Sequence, residues 1–222
     1  MMRLLSRIRP APGASLQDRL VWQAASLLLA YPDEALTQRL DTVEQLRAHV
    51  TGRASDLLGR TAAALREADP VAAATSYVDV FDLRRRSTMY LTYWTGGDTR
   101  NRGSEIHAFA QVYRAAGAEP PVGEMPDHLP VVLEFAATVD PEAGRRLLVE
   151  HRVPIDVLRE ALTEAGSPYA HTVDAVCGTL PAATDQELRR AARLAQDGPP
   201  AEAIGLQPFT LTVPPRRDEG DR

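Results

Sequence analysis

The sequence predicts an all-α protein, a single helical bundle with one long loop rich in arginine, aromatic residues and glycine. Three observations predict this class. Apolar residues recur every three or four positions through most of the chain, a proline or a capping residue precedes most of these segments, and no segment alternates convincingly as a strand does. The segments are about 10–17 residues long with short links, which is typical of helical bundles.

The length and composition predict one folded domain with two tails. The chain has 222 residues, 44% of them hydrophobic and 25% charged, which is ordinary for a globular protein. We predict a flexible N-terminal tail over residues 1–14 and an all-helical domain over residues 15–197. Residues 198–222 are rich in proline and then in charge, and we predict that they form a disordered tail.

The first half of the domain is predicted to form four helices. Ser15 is placed as the N-cap of the first, which ends before Pro32 because a residue preceding proline avoids the α conformation. Asp33 is predicted to cap the second helix, and Asp69 with Pro70 to begin the fourth. The stripes predicted to be buried are Leu16, Leu20, Ala24, Leu27, Leu28 and Tyr31; then Leu36, Leu40, Val43 and Val50; then Leu57, Leu58, Ala62 and Leu65; and last Val71, Ala74, Val78 and Phe81.

The second half is predicted to form six further helices. Gly117 closes the first of them, and Thr184 with Glu187 forms a capping box for the last. The helix over residues 128–139 is apolar on nearly all sides, which predicts a central helix or one that gives a face to a partner. The predicted starts are Ser104, Asp127, Asp140-Pro141, Val153-Pro154, Ser167-Pro168 and Thr184.

Several classes of function are disfavoured by composition. A net charge of −5 argues against a general nucleic-acid binder. The single cysteine, Cys177, excludes a disulfide framework and a cysteine-based zinc site within the chain, and its position predicts a small core residue. The five histidines lack metal-ligand spacing, so we expect no metal site. We also expect no cofactor and no catalytic residue. No apolar run approaches the ~20 residues that span a bilayer, and we expect a cytoplasmic protein.

Acidic residues near the buried stripe of the fourth helix are candidates for binding. Asp79 and Asp82 lie three positions apart and could hold a cation or the arginine of a bound peptide. Glu134, within the apolar helix, could contact a polar group of a partner. The alternative for all three is a solvated helix face.

The loop between the fourth helix and Ser104 concentrates arginines and aromatic residues. Guanidinium groups suit a phosphate or a carboxylate, but we favour a structural interpretation in which these arginines pair with Asp79, Asp82 and Asp98. Tyr90, Tyr93 and Trp94 could form a binding surface, although we expect at least half of their segment to plug the core. The arginines of this cluster are Arg84, Arg85, Arg86, Arg100 and Arg102.

Two blocks carry a resemblance to a known family. They are FDLRRRSTMYLTYWTGGDTRNRG, ending at Gly103, and MPDHLPVVLEF, ending at Phe135. With the spacing between them, they resemble the molybdenum cofactor assembly chaperones of respiratory nitrate reductase, also called the delta subunit or NarJ type, within a wider TorD-like family of molybdoenzyme chaperones.

The resemblance implies a binding protein that is not an enzyme. It implies a chaperone that binds the N-terminal segment of the apo catalytic (alpha) subunit of nitrate reductase. The client would be kept competent for insertion of the molybdenum cofactor and iron–sulfur clusters before membrane assembly. Cofactor-delivery proteins are further candidate partners. The residues predicted to contact the client are Tyr77, Phe81, Tyr90 and Trp94 by apolar contact and Asp79, Asp82 and Glu134 by charge.

Two alternatives stay open. One is a chaperone for a different molybdoenzyme. The other is a nucleotide-binding or nucleotide-hydrolysing helical protein that uses the loop Arg84–Gly103, although this loop lacks the spacing and the lysine of a phosphate-binding loop.

Overall fold

The described part of the chain is helical, as the sequence predicts. The computed structural model describes residues 13–96 and 100–198, apart from the side chains of Arg100 and Asn101. One isolated antiparallel bridge joins Tyr90 to His128, and these residues form no strand. The helices are α1 (Leu16–Leu29), α2 (Leu36–Arg47), α3 (Arg53–Glu67), α4 (Pro70–Tyr77), α5 (Tyr93–Gly96), α6 (Arg100–Ala115), α7 (Leu129–Thr138), α8 (Pro141–Glu150), α9 (Arg152–Glu164), α10 (Tyr169–Thr179) and α11 (Asp185–Asp197).

The two predicted tails lie largely outside the described residues. Residues 1–12 and 199–222 are not described, and neither are residues 97–99 of the predicted loop. The Ala14 backbone N–H, inside the predicted N-terminal tail, donates a hydrogen bond to the Glu142 carboxylate at 3.0 Å. Ala14 therefore contacts α8, and this end of the predicted tail is attached to the domain.

Four helix starts have the side-chain caps that their sequences predict. Ser15 and Thr184 each accept a hydrogen bond from the backbone N–H three residues later and form capping boxes. Asp69 and Asp140 each accept from two backbone N–H groups of the following turn and are each followed by proline. Short polar side chains here satisfy N–H groups that have no partner within the helix.

The predicted starts of α2 and α6 are wrong. Helix α2 is preceded by Ala35, and Asp33 instead accepts from the Ala35 N–H at 2.9 Å in a turn before the helix. Helix α6 begins at Arg100, four residues before the predicted Ser104. Gly103 lies inside α6, so the glycine that suggested a loop is accommodated in a helix.

The buried stripe of α4 also differs from the prediction. Val71 is 74% exposed, whereas Ala73 and Tyr77 face the core. After Tyr77 the chain forms a π-helical turn over Val78–Asp82, which holds an extra residue per turn and shifts the register. The large ring of Tyr77 takes the inward position, and its neighbour one turn earlier is Ala73.

Helix α1 lies at the centre of the bundle and packs against α2, α3, α7 and α10. Trp22 of α1 is completely buried, and its indole N–H donates to the Thr179 hydroxyl at 2.8 Å. Helix α7 is buried along its length except at Glu134 and Thr138, so the prediction of a central helix is confirmed. Helices α7 and α8 approach so closely that a Cβ atom added to Gly144 would overlap Ala136.

A second apolar cluster joins α5, α9 and α11. Trp94 is 1% exposed and packs with Val153, Val157 and Ala191. Met89 and Leu91 are also buried, so the prediction that much of this segment plugs the core is confirmed. The cluster fixes the segment that follows the 3-10 turn Arg85–Ser87. None of the described helices has the length and apolar character needed to cross a membrane.

Candidate functional site

Two of the aromatic residues predicted for client contact belong to a buried cluster. Tyr77 and Phe81 are 6% and 7% exposed, and their ring centroids lie 4.7 Å apart. Both rings also meet Tyr169 edge-on, and the Tyr77 hydroxyl donates to the Leu29 carbonyl at 3.0 Å. Burial raises the pKa of the Tyr77 hydroxyl well above its usual value. Tyr31 stacks edge-on against Tyr77 at 5.3 Å and is 47% exposed, so the cluster reaches the surface there.

The exposed edge of that cluster opens into a surface cleft of about 590 Å³ between the α1–α2 link and α4. Its apolar lining includes Tyr31 and Val71, which are both exposed, and two prolines, Pro32 and Pro70. We call it the Tyr31–Asp79 cleft. Its lining is completed by Asp33, Glu34, Ala74, Thr75, Val78 and Asp79.

The charged groups in the lining of the cleft are all acidic. They are Asp33, Glu34 and Asp79, and no arginine among the described residues lines it. Asp33 is held by Arg39 at 2.8 Å, which partly neutralises it. Glu34 and Asp79 have no ion pair among the described residues, and both are exposed. A cleft of this chemistry suits a ligand with apolar groups beside positive charge.

The structure does not gather all the predicted charges into one site. Asp82 and Glu134 are exposed, but neither lines the Tyr31–Asp79 cleft. Asp82 ends the π-helical turn, while Glu134 is on α7, which packs against α1 and α8. Of the three acidic residues predicted for client binding, Asp79 alone lies in the cleft.

Asp127 forms a buried bridge and is not the helix cap predicted for it. It is completely buried, and one of its carboxyl oxygens accepts from the Thr92 backbone N–H at 3.2 Å and the Thr92 hydroxyl at 2.6 Å. The other oxygen is buried without a hydrogen-bond partner among the described residues. Helix α7 starts after His128 with no side-chain cap. The Thr92–Asp127 bridge thus ties the segment after the arginines to the start of α7.

Aromatic and charged side chains surround this bridge. The rings of Tyr90 and His128 lie 5.1 Å apart, and Glu124 pairs with the His128 Nδ1 at 3.2 Å. Desolvation by burial lowers the pKa of His128, although Glu124 opposes this shift. Arg102 donates to the Thr92 hydroxyl at 3.3 Å and lies 5.6 Å from the centre of the Tyr90 ring. Burial raises the pKa of the Tyr90 hydroxyl.

The pairing predicted for Arg84, Arg85 and Arg86 is wrong. Arg86 bonds Glu164 of α9 at 3.1 Å, and neither Asp79 nor Asp82 pairs with Arg84, Arg85 or Arg86. These three arginines are exposed on the surface beside α9. Arg102 turns inward toward Thr92. The side chain of Arg100 and residue Asp98 lie outside the part that the structure describes.

Sequence reasoning missed the apolar side of the cleft. Tyr31 was predicted to be buried in α1 and Val71 in α4, whereas both are exposed at one surface. The one local signal was the run Tyr31-Pro32-Asp33-Glu34, which sets an aromatic residue beside two carboxylates at a helix end. Among the described residues, no group of three or more His, Cys, Asp or Glu side chains could hold a metal ion.

The fold resembles that of a solved protein structure. The described structure resembles the crystal structure of a redox enzyme maturation protein from Archaeoglobus fulgidus, with a TM-score of 0.55 and 23% identity. The likeness covers 78% of this chain and 98% of that one. At this identity it establishes the fold.

The sequence establishes the family. Residues 34–175 match the model of the nitrate reductase delta subunit, and the chain belongs to that family. It is 30% identical to NarJ of Bacillus subtilis over 73% of this chain and 89% of that protein. It is 28% identical to the nitrate reductase molybdenum cofactor assembly chaperone NarJ of Escherichia coli K12, over 73% of this chain and 70% of that protein.

A more similar relative is much longer than this chain. The nitrate reductase-like protein NarX of Mycobacterium tuberculosis is 67% identical over 159 residues. The match covers 72% of this chain but 24% of that protein. The matched part of this chain therefore spans about a quarter of the length of that relative.

Proposed function

We propose that this protein is a chaperone for the assembly of respiratory nitrate reductase, and that it is not an enzyme. It binds the N-terminal segment of the apo catalytic subunit in the cytoplasm and keeps it competent for insertion of the molybdenum cofactor and iron–sulfur clusters. The observation that carries the proposal is the family match over residues 34–175, whose relatives include a named cofactor assembly chaperone. Selective affinity for the unfinished client is sufficient for this role, without chemistry.

The Tyr31–Asp79 cleft is the proposed place of contact. An amphipathic client segment would lay its apolar side on Tyr31 and Val71, and its basic residues would meet Glu34 and Asp79. This assignment retains Asp79 from the residues predicted to contact the client. It replaces the buried rings of Tyr77 and Phe81 by Tyr31, the exposed edge of the same aromatic cluster. Trp94, 1% exposed beneath α9 and α11, would act by holding the fold together.

Calorimetric titration with a peptide from the N-terminus of the catalytic subunit tests the proposal. We expect micromolar binding, about −8 kcal/mol, with a negative heat-capacity change from burial of apolar surface. Absence of binding at several pH values and salt concentrations would overturn the assignment of this client. Binding of the leader of another molybdoenzyme in the same assay would identify a different client instead.

A matched pair of variants locates the contact. Glu34→Gln with Asp79→Asn removes two charges inside the cleft, and Asp82→Asn with Glu134→Gln removes two exposed charges outside it. Each exposed ion pair contributes about 0.2–1 kcal/mol, so the first variant should bind roughly fivefold more weakly at low salt. An equal loss of affinity in the second variant would show that the client responds to the net charge of the protein, and this result would exclude the cleft as the contact site.

A further inference from the structure

A second cavity lies between α3, α9 and the start of α10. It is open to solvent, with a volume of about 690 Å³, which is within the usual range for small-molecule sites. Leu57, Ala64 and Ala170 give it an apolar side. It shares no lining residue with the Tyr31–Asp79 cleft, so its occupant need not be the client peptide.

The polar side of this cavity is strongly basic. Arg53, Arg60 and Arg159 line it together with His171, and Asp174 is the one carboxylate that the described residues place in its lining. Three guanidinium charges against one carboxylate leave a formal surplus of two positive charges. This surplus would complement a dianion.

The arginines are unevenly satisfied within the protein. Arg53 bonds Asp174 at 2.6 Å, whereas Arg159 lies 3.7 Å from both Asp174 and Asp156. The Arg159 Nε is buried with no hydrogen-bond partner among the described residues. Arg60 is exposed and has no ion pair there. Asp156 is itself bound more closely by Arg152, at 2.8 Å.

A buried hydroxyl supplies an independent observation. Ser167 lines the cavity and is 7% exposed, and its Oγ has no hydrogen-bond partner among the described residues. A buried hydroxyl without a partner costs free energy that a ligand acceptor can recover. Ser167 precedes α10, whose first-turn residues Ala170 and His171 also line the cavity, so the positive end of the helix dipole lies at the same place.

We propose that this cavity binds a small-molecule phosphate monoester. Arg60 and Arg159 would hold the phosphate oxygens, the Ser167 hydroxyl would donate to one of them, and the organic part would lie on Leu57 and Ala64. The inference is independent of the chaperone role. It also assigns anion binding to residues outside the arginine-rich loop.

Titration calorimetry on the full chain at low salt tests this, with ribose 5-phosphate, inorganic phosphate and ribose as probes. We expect ribose 5-phosphate to bind with a Kd of about 1 mM or tighter, inorganic phosphate to bind more weakly, and ribose not to bind. Loss of one charge-assisted hydrogen bond weakens binding about tenfold, so Arg60→Gln and Ser167→Ala should each show that decrease. Neither side chain has a hydrogen-bond or ion-pair partner in the described part of the chain, so urea unfolding of these variants should match the parent chain.

Arg146→Gln is the matched control because Arg146 is also exposed and lies outside the cavity lining. Equal weakening by Arg60→Gln and Arg146→Gln would overturn the site in favour of diffuse charge attraction. Loss of binding in Arg85→Gln alone would move the anion to the arginine-rich loop. Equal affinity for inorganic phosphate and the ester, or preference for a phosphoserine peptide, would refute the small-molecule ester.

Discussion

Replacing Asp127 by alanine distinguishes a helix cap from a buried bridge. The sequence places Asp127 where a cap for α7 would stand, and a lost cap costs about 1 kcal/mol. The structure instead buries it completely against Thr92, with two donors on one carboxyl oxygen. Hydrogen bonds to a charged group contribute about 1.5–3 kcal/mol each, and their loss would leave the buried Thr92 N–H unsatisfied. We expect Asp127→Ala to lower the free energy of unfolding by about 3–4 kcal/mol.

Asp140→Ala is the internal standard for this measurement. Asp140 accepts from the backbone N–H groups of Glu142 and Ala143 as the true cap of α8. Its loss should cost about 1 kcal/mol, or about 2–4 °C in the midpoint of thermal unfolding for a domain of this size. On the same scale Asp127→Ala should lower the midpoint of thermal unfolding by about 6–16 °C.

Urea unfolding followed by circular dichroism supplies both free energies. Thr92→Val removes the hydroxyl donor while keeping the side-chain shape, so a double-mutant cycle with Asp127→Ala measures their coupling. We expect about 1 kcal/mol or more, because neighbouring groups that share a hydrogen bond are not additive. If Asp127→Ala and Asp140→Ala cost the same small amount and the cycle shows no coupling, the bridge contributes nothing and the reasoning is refuted.

Three further predictions concern single positions. Burial lowers the pKa of His128, so the unfolded chain binds more protons than the folded chain near the unperturbed value of 6.5, and the free energy of unfolding should fall as pH drops through that region. Urea titrations at several pH values should show that His128→Gln removes this dependence on pH. The control variant His49→Gln, at an exposed histidine, should keep it. Gly144→Ala should destabilise the protein by about 1–3 kcal/mol, because the added Cβ would overlap α7. Gly178→Ala has open space at its Cβ and should be neutral or stabilise by up to about 1 kcal/mol. Equal unfolding midpoints for the two variants would contradict the close contact between α7 and α8. Burial raises the pKa of Cys177 to about 12, so its thiol should react with a disulfide reagent at pH 8 only after unfolding, and rapid labelling of the folded chain would refute its burial.

Local rules predicted most of the helices because their signals are themselves local. A cap such as Asp69 acts on backbone groups two or three residues away, and proline at the next position restricts the same turn. The apolar stripe of α1 was predicted less well, because Ala24 and Leu28 are buried but Leu16 is 70% exposed. Helical spacing failed at the π-helical turn Val78–Asp82, because its extra residue changed which side chains of that turn face the core.

The candidate site was predicted less well because aromatic residues have two fates that sequence alone does not separate. Tyr77 and Trp94 are large apolar groups with polar atoms, which suits both a binding surface and a core. Contacts with Tyr169 and with Ala191, each more than ninety residues away, decide in favour of the core. Val71 shows the opposite error, because it was predicted to be buried from its place in an apolar pattern and is 74% exposed.

The arginines show that a dense basic run in the sequence need not mark the place where unpaired positive charge collects in the structure. The run Arg84–Arg86 is conspicuous in sequence, yet it lies on an exposed surface and Arg86 is engaged by Glu164. Arg60 and Arg159 are about a hundred residues apart and become neighbours of one cavity only when α3 and α9 both pack beside α10. The cost of keeping a guanidinium partly desolvated depends on what lies within a few ångströms in space. Unsatisfied positive charge, and with it the capacity to bind an anion, is therefore a property of the packed bundle, and the basic run in the sequence points to a different surface.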